Sequence, residues 1–193
     1  MSSQPRILAF SGSLRAASFN QQLVKVAAGG ATKAGALVTV IHLKDFPLPV
    51  FDEDLERSQG LPENARKLKD LFFSHQGLLI ACPEYNSSMT AALKNALDWV
   101  SRPAPGEGPL QAFDGKVAAL LAASPGALGG LRGLVSVRSL LSNIKVIVLP
   151  EQVAVPKAHE AFDAVGSLKD PKQQASVEGV GAALAKVVTR LNA

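Results

Sequence analysis

Hydroxyl and basic side chains are concentrated in one short stretch near the start of the chain. Residues 11–18, the first loop, read SGSLRAAS and contain Ser11, Ser13, Arg15 and Ser18, and Asn20 follows closely. Hydroxyl and guanidinium donors suit a terminal phosphate monoester, which carries close to two charges and three strong acceptor oxygens. The alternative is an ordinary serine-rich turn with Asn20 as an internal cap. The first loop alone leaves both interpretations open.

Two common nucleotide-binding signatures are missing from the first loop. A dinucleotide-binding turn needs G-x-G-x-x-G, whereas this loop contains only Gly12. The phosphate loop of nucleotide triphosphatases ends in Gly-Lys-Ser/Thr, and no such tripeptide occurs in the sequence. The pattern therefore favours a monophosphate over a dinucleotide or a triphosphate.

Two further loops offer groups for a planar ligand. The second loop, residues 83–89, contains Pro83, Glu84, Asn86 and the only tyrosine of the chain, Tyr85. A planar heteroaromatic ligand needs a flat apolar wall and polar partners in its plane. Alternatively, Tyr85 anchors the loop and Glu84 is solvated. The third loop, residues 124–130, is small enough for a ring or a second nucleotide to approach its backbone, or is a flexible turn before a helix.

Apolar runs and helical patterns alternate along the chain and predict an α/β fold. The expected strands are 6–10, 36–43, 77–82, 116–122 and 145–149, and the expected helices are 19–33, 62–75, 90–102, 131–141 and 171–191. Three prolines and an acidic cluster predict irregular structure over most of residues 45–62, and residues 150–169 are expected to be loop-like.

This alternation predicts a parallel sheet with helices on both faces. Ligands of such sheets lie beyond the carboxyl ends of the strands, and all three loops directly follow predicted strands. The first loop also precedes a predicted helix, whose unpaired first N–H groups and dipole favour an anion.

Composition places the chain among soluble globular proteins. Its 193 residues are 47% hydrophobic and 19% charged, which fits one domain spanning 1–193. The net charge of +4 is scattered, so it suits an anionic small molecule and argues only weakly for nucleic acid. A single cysteine excludes an internal disulfide framework, and no apolar stretch is long enough to span a bilayer. We expect a cytoplasmic protein.

Two segments resemble the NAD(P)H-dependent FMN reductase family. They are GSLRAASFN, residues 12–20, and PEYNSSMTAALKNALDWVSR, residues 83–102. The similarity extends to FPLPVFDEDLE and SPGALGGLRG, so it covers nearly the whole chain. Where many members have Pro-Gly, this chain has Thr90 and Ala91. The resemblance implies a flavodoxin-like three-layer sandwich with a five-stranded parallel sheet in the order 2-1-3-4-5.

The resemblance also implies the roles of the loop residues. The FMN phosphate would be held by Ser11, Ser13, Arg15, Ser18 and Asn20. The isoalloxazine would be lined by Pro83, Glu84, Tyr85 and Asn86, and the ring or ribityl chain would be bordered by Ser124 and Gly126. FMN would take hydride from NAD(P)H and reduce a quinone-like acceptor by two electrons, with no dedicated catalytic side chain.

Three other functions remain open at this point. An electron carrier without a nicotinamide site is one, although such carriers tend to be acidic and this chain is basic. An enzyme that releases reduced FMN as product is the second. A non-enzymatic nucleotide-sensing or interaction module on the same fold is the third.

Several conspicuous residues are expected to be structural. The histidines, 42, 75 and 159, are scattered, and no metal-ligand or Ser/His/Asp spacing is visible. Cys82 ends a predicted buried strand, and Trp99 lies on the helix 90–102 in a core or interface position. The family resemblance implies a homodimer or homotetramer, for which the helix 90–102 and the connection 103–113 are the candidate interface.

Overall fold

Five parallel strands form the centre of the protein in a computed structural model that describes residues 4–192. They are β1 (Arg6–Ser11), β2 (Leu37–His42), β3 (Gly77–Ala81), β4 (Val117–Ala123) and β5 (Ile147–Val155). Their order across the sheet is β2-β1-β3-β4-β5, and every neighbouring pair is parallel. The predicted fold class and strand order are confirmed.

Helices cover both faces of the sheet. They are α1 (Phe19–Lys33), α2 (Glu53–Gln59), α3 (Glu63–Ser74), α4 (Ala91–Ser101), α5 (Leu131–Asn143), α6 (Ala158–Ala161) and α7 (Pro171–Leu191). One core lies between the sheet and α1 and α7, and the other between the sheet and α3, α4 and α5. Side chains alternate between these cores, so that Ile7 and Ala9 face the first and Leu8 and Phe10 face the second. None of the described helices is both long and apolar enough to cross a membrane.

The last strand is longer than the sequence predicted. The expected strand ended at Leu149, but β5 continues to Val155. Val148 pairs with Ala118 and Gln152 pairs with Leu120, so the register shifts around Pro150. Because β5 is an edge strand, the missing proline N–H and the irregularity are tolerated. The prediction of a loop throughout 150–169 was therefore wrong, since it also omitted α6.

The proline-rich segment contains a helix that was not predicted. Oδ1 of Asp52 accepts the N–H of Asp54 at 2.8 Å and caps α2. Three acidic residues occupy the first turn, where they complement the helix dipole. The helix ends at Gly60, whose φ of 74° stops it. The prediction of irregular structure was wrong for these seven residues.

Candidate functional site

The three loops meet at the carboxyl edge of the sheet and enclose a cavity of about 70 Å³. The first loop and the start of α1 contribute Ser13, Arg15, Ser18, Phe19 and Asn20; the second loop contributes Pro83, Glu84 and Tyr85; the end of β4 and the third loop contribute Ala123, Ser124 and Pro125. The structure therefore brings most of the predicted site residues together. Ser11, Asn86 and Gly126 lie in the same loops but do not line the cavity.

The serines of the first loop use their oxygens to fix the backbone. Oγ of Ser11 accepts the N–H of Ser13 at 3.1 Å, and Oγ of Ser13 accepts the N–H of Arg15 at 3.2 Å. Ser18 caps α1 by accepting the N–H of Gln21 at 3.3 Å. A hydroxyl that accepts in this way still has its own proton to donate. The loop is thus held in shape while its hydroxyl protons stay available to an anion.

Arg15 supplies the positive charge at the edge of the cavity. Its guanidinium is exposed and lies 5.9 Å from the centre of the Phe19 ring, and Nη2 is 3.4 Å from the carbonyl oxygen of Ala17. The carbonyl oxygen of Arg15 lies 3.3 Å from Nε2 of His42. Since Nδ1 of His42 accepts the N–H of Lys44, neutral His42 carries its proton on Nε2 and donates it to Arg15. His42 supports the loop, as expected of a structural histidine.

Asn20 connects the first turn of α1 to the end of β4. Its Nδ2 donates to the carbonyl oxygen of Ala123 at 2.8 Å, and its Oδ1 accepts the N–H of Ala123 at 2.9 Å. One amide N–H of Asn20 remains for a ligand. The sequence suggested Asn20 as a phosphate contact or as an internal cap, and neither interpretation included its two bonds to Ala123.

Thr90 joins the first loop to α4. Its hydroxyl donates to the carbonyl oxygen of Gly12 at 2.6 Å and accepts the N–H of Leu93 at 3.2 Å, so Thr90 is the N-cap of α4. A Cβ at Gly12 would lie 3.1 Å from both Oγ1 of Thr90 and Cβ of Leu93. Gly12 is thus needed for the close approach of the loop to the helix. Thr90 is thus a supporting residue of the site that no local pattern indicated.

The second loop contains a tight turn that presents Tyr85. The backbone groups of Tyr85 and Ser88 exchange hydrogen bonds of 3.0 and 3.1 Å. Asn86 and Ser87 between them have φ of 52° and 65°, which is the pattern of a type I′ turn. The ring of Tyr85 is 55% exposed and lines the cavity, whereas Asn86 lies at the exposed tip. Tyr85 is thus an exposed residue at a fixed turn beside the cavity, and its role as the wall for a planar ligand stays a prediction.

The carboxylate of Glu84 binds the start of α5. Oε2 accepts the N–H groups of Arg132 at 3.0 Å and Gly133 at 3.2 Å, and Oε1 accepts Nε of Arg132 at 2.7 Å. Burial alone raises the pKa of Glu84, but the hydrogen bonds from Arg132 and Gly133 outweigh it and lower the pKa. The side chain is 8% exposed, so the alternative of a solvated Glu84 is wrong.

Arg132 is the partner that sequence reasoning missed. The residue at the N-cap of α5 is Gly130, which has no side chain to cap the helix. A helix start without its own cap, together with a carboxylate at the end of a neighbouring strand, was the available signal.

The third loop consists mainly of small residues because it packs closely against the ends of β4 and β5. A Cβ at Gly129 would lie 2.7 Å from the carbonyl carbon of Val155, and one at Gly130 would lie 2.8 Å from Cβ of Ala122. Both glycines have positive φ, 62° and 93°. Ser124 fixes the start of the loop, because its N–H donates to Val155 and its Oγ accepts the N–H of Gly126. These contacts give the loop a defined path at the cavity.

Two residues that were expected to be structural, Cys82 and Trp99, are both buried. Cys82 is fully buried, and burial raises its pKa to about 11. Trp99 is also fully buried and donates from Nε1 to the carbonyl oxygen of Pro49 at 2.8 Å. Within residues 4–192 no three His, Cys, Asp or Glu side chains are grouped as metal ligands.

A larger groove of about 250 Å³ lies on the other side of the first loop. It is bordered mainly by apolar side chains, among them Leu14, Leu43, Phe46, Leu48 and Ala96. Lys44 is its one cationic border residue within the described chain, and serine hydroxyls are absent from that border. Compared with this groove, the smaller cavity is lined by the serine hydroxyls and the guanidinium group that suit a phosphate.

Comparison with known proteins gives consistent matches. A family model described as NADPH-dependent FMN reductase matches residues 5–160. A protein of Pseudomonas aeruginosa named as an NAD(P)H-dependent FMN reductase is 36% identical over 192 residues, which is 99% of each chain. A quinone reductase of Escherichia coli is 30% identical over 149 residues, covering 77% of this chain and 76% of the other. The solved structure of FerB, a flavoenzyme NAD(P)H:(acceptor) oxidoreductase of Paracoccus denitrificans, has a TM-score of 0.82 at 27% identity, covering 98% of this chain and 100% of the other.

Proposed function

The chain belongs to the NADPH-dependent FMN reductase family, and from this membership we propose that it carries hydride from NAD(P)H, through bound FMN, to quinone-like acceptors. The observation that carries the proposal is the cavity at which a donor-rich loop, an exposed tyrosine and a small-residue loop meet. FMN has one part for each of these features: a phosphate, a planar ring and a chain that joins them.

The first loop fits a phosphate monoester. Ser13 and Ser18 line the cavity with hydroxyl protons to donate, and Arg15 adds a guanidinium beside them. The first N–H groups of α1 favour a negative charge at the same place. Among the described residues that line the cavity the only carboxylate is Glu84, whose charge is balanced by Arg132 and α5. We therefore assign the phosphate to the first loop.

The second and third loops fit the remainder of the cofactor. Tyr85 supplies an exposed aromatic surface, and the turn at Asn86 and Ser87 fixes its position. Ser124 lines the cavity with little side-chain bulk, and Gly126 lies beside it in the same loop, where its N–H donates to Oγ of Ser124. Tyr85 and Asn86 would lie beside the isoalloxazine, and Ser124 and Gly126 beside the ring or ribityl chain.

The chain's own contribution is binding and orientation. The chemistry that FMN would supply when bound is two-electron transfer, by hydride, from a reduced nicotinamide to a second substrate. Glu84 does not serve as a proton donor, since Arg132 and the start of α5 hold it ionised. Asn20 and Thr90 fix the first loop to β4 and α4, which keeps the phosphate donors aligned with the second and third loops.

We further propose that the chain assembles as a homodimer or homotetramer through α4 and residues 103–113. Glu107, in that connection, is bound by Lys69 and Arg66 of α3. An anchored connection offers a partner a fixed surface instead of a mobile one. The molar mass in solution, measured by light scattering after gel filtration, tests this assembly, and a mass of one chain at micromolar concentration overturns it.

The function is tested with purified protein and added FMN. We expect flavin absorption to co-elute with the protein on gel filtration and NAD(P)H to be oxidised when a benzoquinone is supplied. Protein that stays colourless after incubation with FMN and consumes no NAD(P)H contradicts the proposal. Activity that requires a continuous supply of free FMN would instead identify the flavin as a substrate.

A further inference from the structure

A second arginine lies just outside the cavity, at its end away from the first loop. Arg132 contacts Glu84 through Nε and Nη2 but does not line the cavity itself. Its side chain is 58% exposed, and within residues 4–192 its Nη1 makes no hydrogen bond. Because Glu84 also accepts two backbone N–H groups of α5, its negative charge is shared and Arg132 is not fully neutralised. The result is an oriented guanidinium with one free edge.

Three other basic side chains, on or next to α4 and α5, are engaged elsewhere. Lys94 binds both carboxylate oxygens of Asp98, at 2.7 and 2.6 Å. Arg102 donates to both carboxylate oxygens of Glu56 at 2.9 Å. Arg138, on α5, donates to the carbonyl oxygen of Val148 and to the side chain of Gln152. Arg132 is thus the best placed of these cations to meet a ligand at the cavity.

The ligands of the proposed reaction carry more phosphate than the first loop can bind. FMN has a single phosphate, which the first loop and Arg15 match. A reduced pyridine dinucleotide adds a pyrophosphate, and NADPH adds a further phosphate on its adenosine ribose. We propose that Arg132, oriented by Glu84, binds a phosphate group of the pyridine dinucleotide. This inference rests on the proposed function.

The surroundings of Arg132 suit a ligand that combines phosphates with flat rings. Leu131 and Val135, on the same helix, are 43% and 64% exposed, and Leu128 just before the helix is 52% exposed. Residues 131 and 135 are one turn apart and therefore share a face next to Arg132. Exposed apolar side chains beside a cation can carry an aromatic base while the guanidinium binds its phosphate.

The test compares Arg132→Gln and Arg132→Lys with the unchanged FMN-loaded protein. For Arg132→Gln we expect the KM for the dinucleotide to rise about 10- to 100-fold, the loss of one charge-assisted contact, with kcat little changed. The Kd of the oxidised dinucleotide, measured by calorimetry, should rise equally. Arg132→Lys keeps the charge but loses the bidentate geometry of the guanidinium. Its KM for the dinucleotide should therefore lie between that of Arg132→Gln and that of the unchanged protein. Flavin content should stay at the level of the unchanged protein.

Parallel measurements with NADPH and NADH identify which phosphate is bound. If the KM of Arg132→Gln rises for both dinucleotides, Arg132 binds the pyrophosphate. If the KM rises for NADPH alone, Arg132 binds the phosphate on the adenosine ribose. Arg138→Gln, which removes one charge from the same helix, is the control and should leave both KM values unchanged.

Unchanged dinucleotide affinity in Arg132→Gln overturns the inference, as does an effect of equal size in Arg138→Gln. So does a loss of dinucleotide binding that is accompanied by a changed molar mass, because Arg132 would then act at an interface between copies. Failure of the proposed function is seen separately, as absence of flavin binding or NAD(P)H oxidation in the unchanged protein.

Discussion

The side chain of Asn20 satisfies both backbone groups of Ala123, with its Nδ2 2.8 Å from the carbonyl oxygen and its Oδ1 2.9 Å from the amide nitrogen. Ala123 is the last residue of β4, where the sheet ladder ends and the third loop begins. Asn20 is 3% exposed, so both bonds are shielded from water. This one amide therefore sets the distance between the first loop, which we assign to the FMN phosphate, and the third loop, which we assign to the ring or ribityl chain.

We predict that Asn20→Ala lowers the free energy of unfolding by about 2–4 kcal/mol, because two buried backbone groups lose their partner. Urea denaturation of the flavin-free protein measures the change. Gln22→Ala is the control, since the buried Oε1 of Gln22 has no partner within residues 4–192 to lose. Equal stability of the two variants would show that the Asn20 bonds contribute nothing beyond side-chain burial.

Arg15→Ala tests the charge in the first loop. We expect FMN binding to weaken by about 1.5–3 kcal/mol, the contribution of a charge-assisted contact. The fold should be unaffected, because the guanidinium is exposed and its only hydrogen bond within the described chain is the long one to Ala17. Fluorescence titration with FMN measures the affinity, and Arg15→Lys should recover part of it. Unchanged affinity in Arg15→Ala would exclude Arg15 from the phosphate site.

Local signals in the sequence were sufficient for the parallel sheet and for the position of the first loop after its first strand, whereas the strand order came from the family resemblance. Apolar runs separated by helical patterns predicted the parallel sheet. The serines of the first loop could be recognised because all of them lie within eight consecutive residues. The bond between Glu84 and Arg132 joins residues 48 apart in the chain, and that between Asn20 and Ala123 joins residues 103 apart. Such pairings depend on how the loops meet in space, which no local pattern contains.

Two errors in the predicted elements have a different origin. Asp52 is a local capping signal for α2, and in the structure it prevails over the surrounding prolines. Pro150 lies in an edge strand, where a proline causes only a shift in register. The helix was thus indicated by a local signal, whereas the continuation of the strand depends on its tertiary position.

Tyr85→Ala should alter catalysis more than stability. The ring is 55% exposed, so its removal leaves no buried cavity, and the turn is held by backbone bonds that alanine keeps. We expect the kcat/KM for a quinone to fall while the free energy of unfolding, measured with urea, stays within about 0.5 kcal/mol of the original. Tyr85→Phe retains the flat surface and should retain turnover. Unchanged quinone kinetics in Tyr85→Ala would reduce the ring to a scaffold role.

The anchoring of residues 103–113 can be tested at Glu107, which forms a largely buried ion pair with Lys69. Burial alone raises the pKa of Glu107, but hydrogen bonds from Lys69, from the N–H of Ala104 and from Arg66 lower it to about 2. Lys69 is 2% exposed, so removing its partner leaves a buried charge uncompensated. We predict that Glu107→Gln costs about 3–5 kcal/mol of stability at pH 7. Asp70→Asn, which breaks an exposed pair of the same Arg66, should cost less than about 1 kcal/mol.

The same pair gives an acid dependence with a defined sign. Because the folded pKa of Glu107 lies below the unfolded value of 4.5, its stabilisation is complete above pH 4.5 and is lost as the pH falls towards 2. Urea midpoints of the unchanged protein should therefore fall more steeply across this window than those of Glu107→Gln. Parallel curves would show that Glu107 does not titrate as the structure requires.

Lys116 gives a second rise of stability with pH, this time at alkaline pH. It precedes β4 and is 7% exposed, and its Nζ donates to the carbonyl oxygen of His75 at 2.5 Å. Burial lowers its pKa from 10.5 to about 8. Between these two values the unfolded chain binds the proton more tightly than the folded one, so stability contributed by Lys116 rises with pH across this window.

We therefore predict that Lys116→Met removes a rise of the order of 2–3 kcal/mol in the free energy of unfolding between pH 8 and 10.5. The change at pH 7 is a poor test, because relief from burying the charge is opposed by the loss of the bond to His75. The slope with pH is unaffected by that lost bond and isolates the titration. Lys186→Met, at an exposed position on α7, is the control and should keep the slope of the unchanged protein. If Lys116→Met keeps that slope as well, the ammonium group is hydrated in solution and the burial of Lys116 does not control its charge.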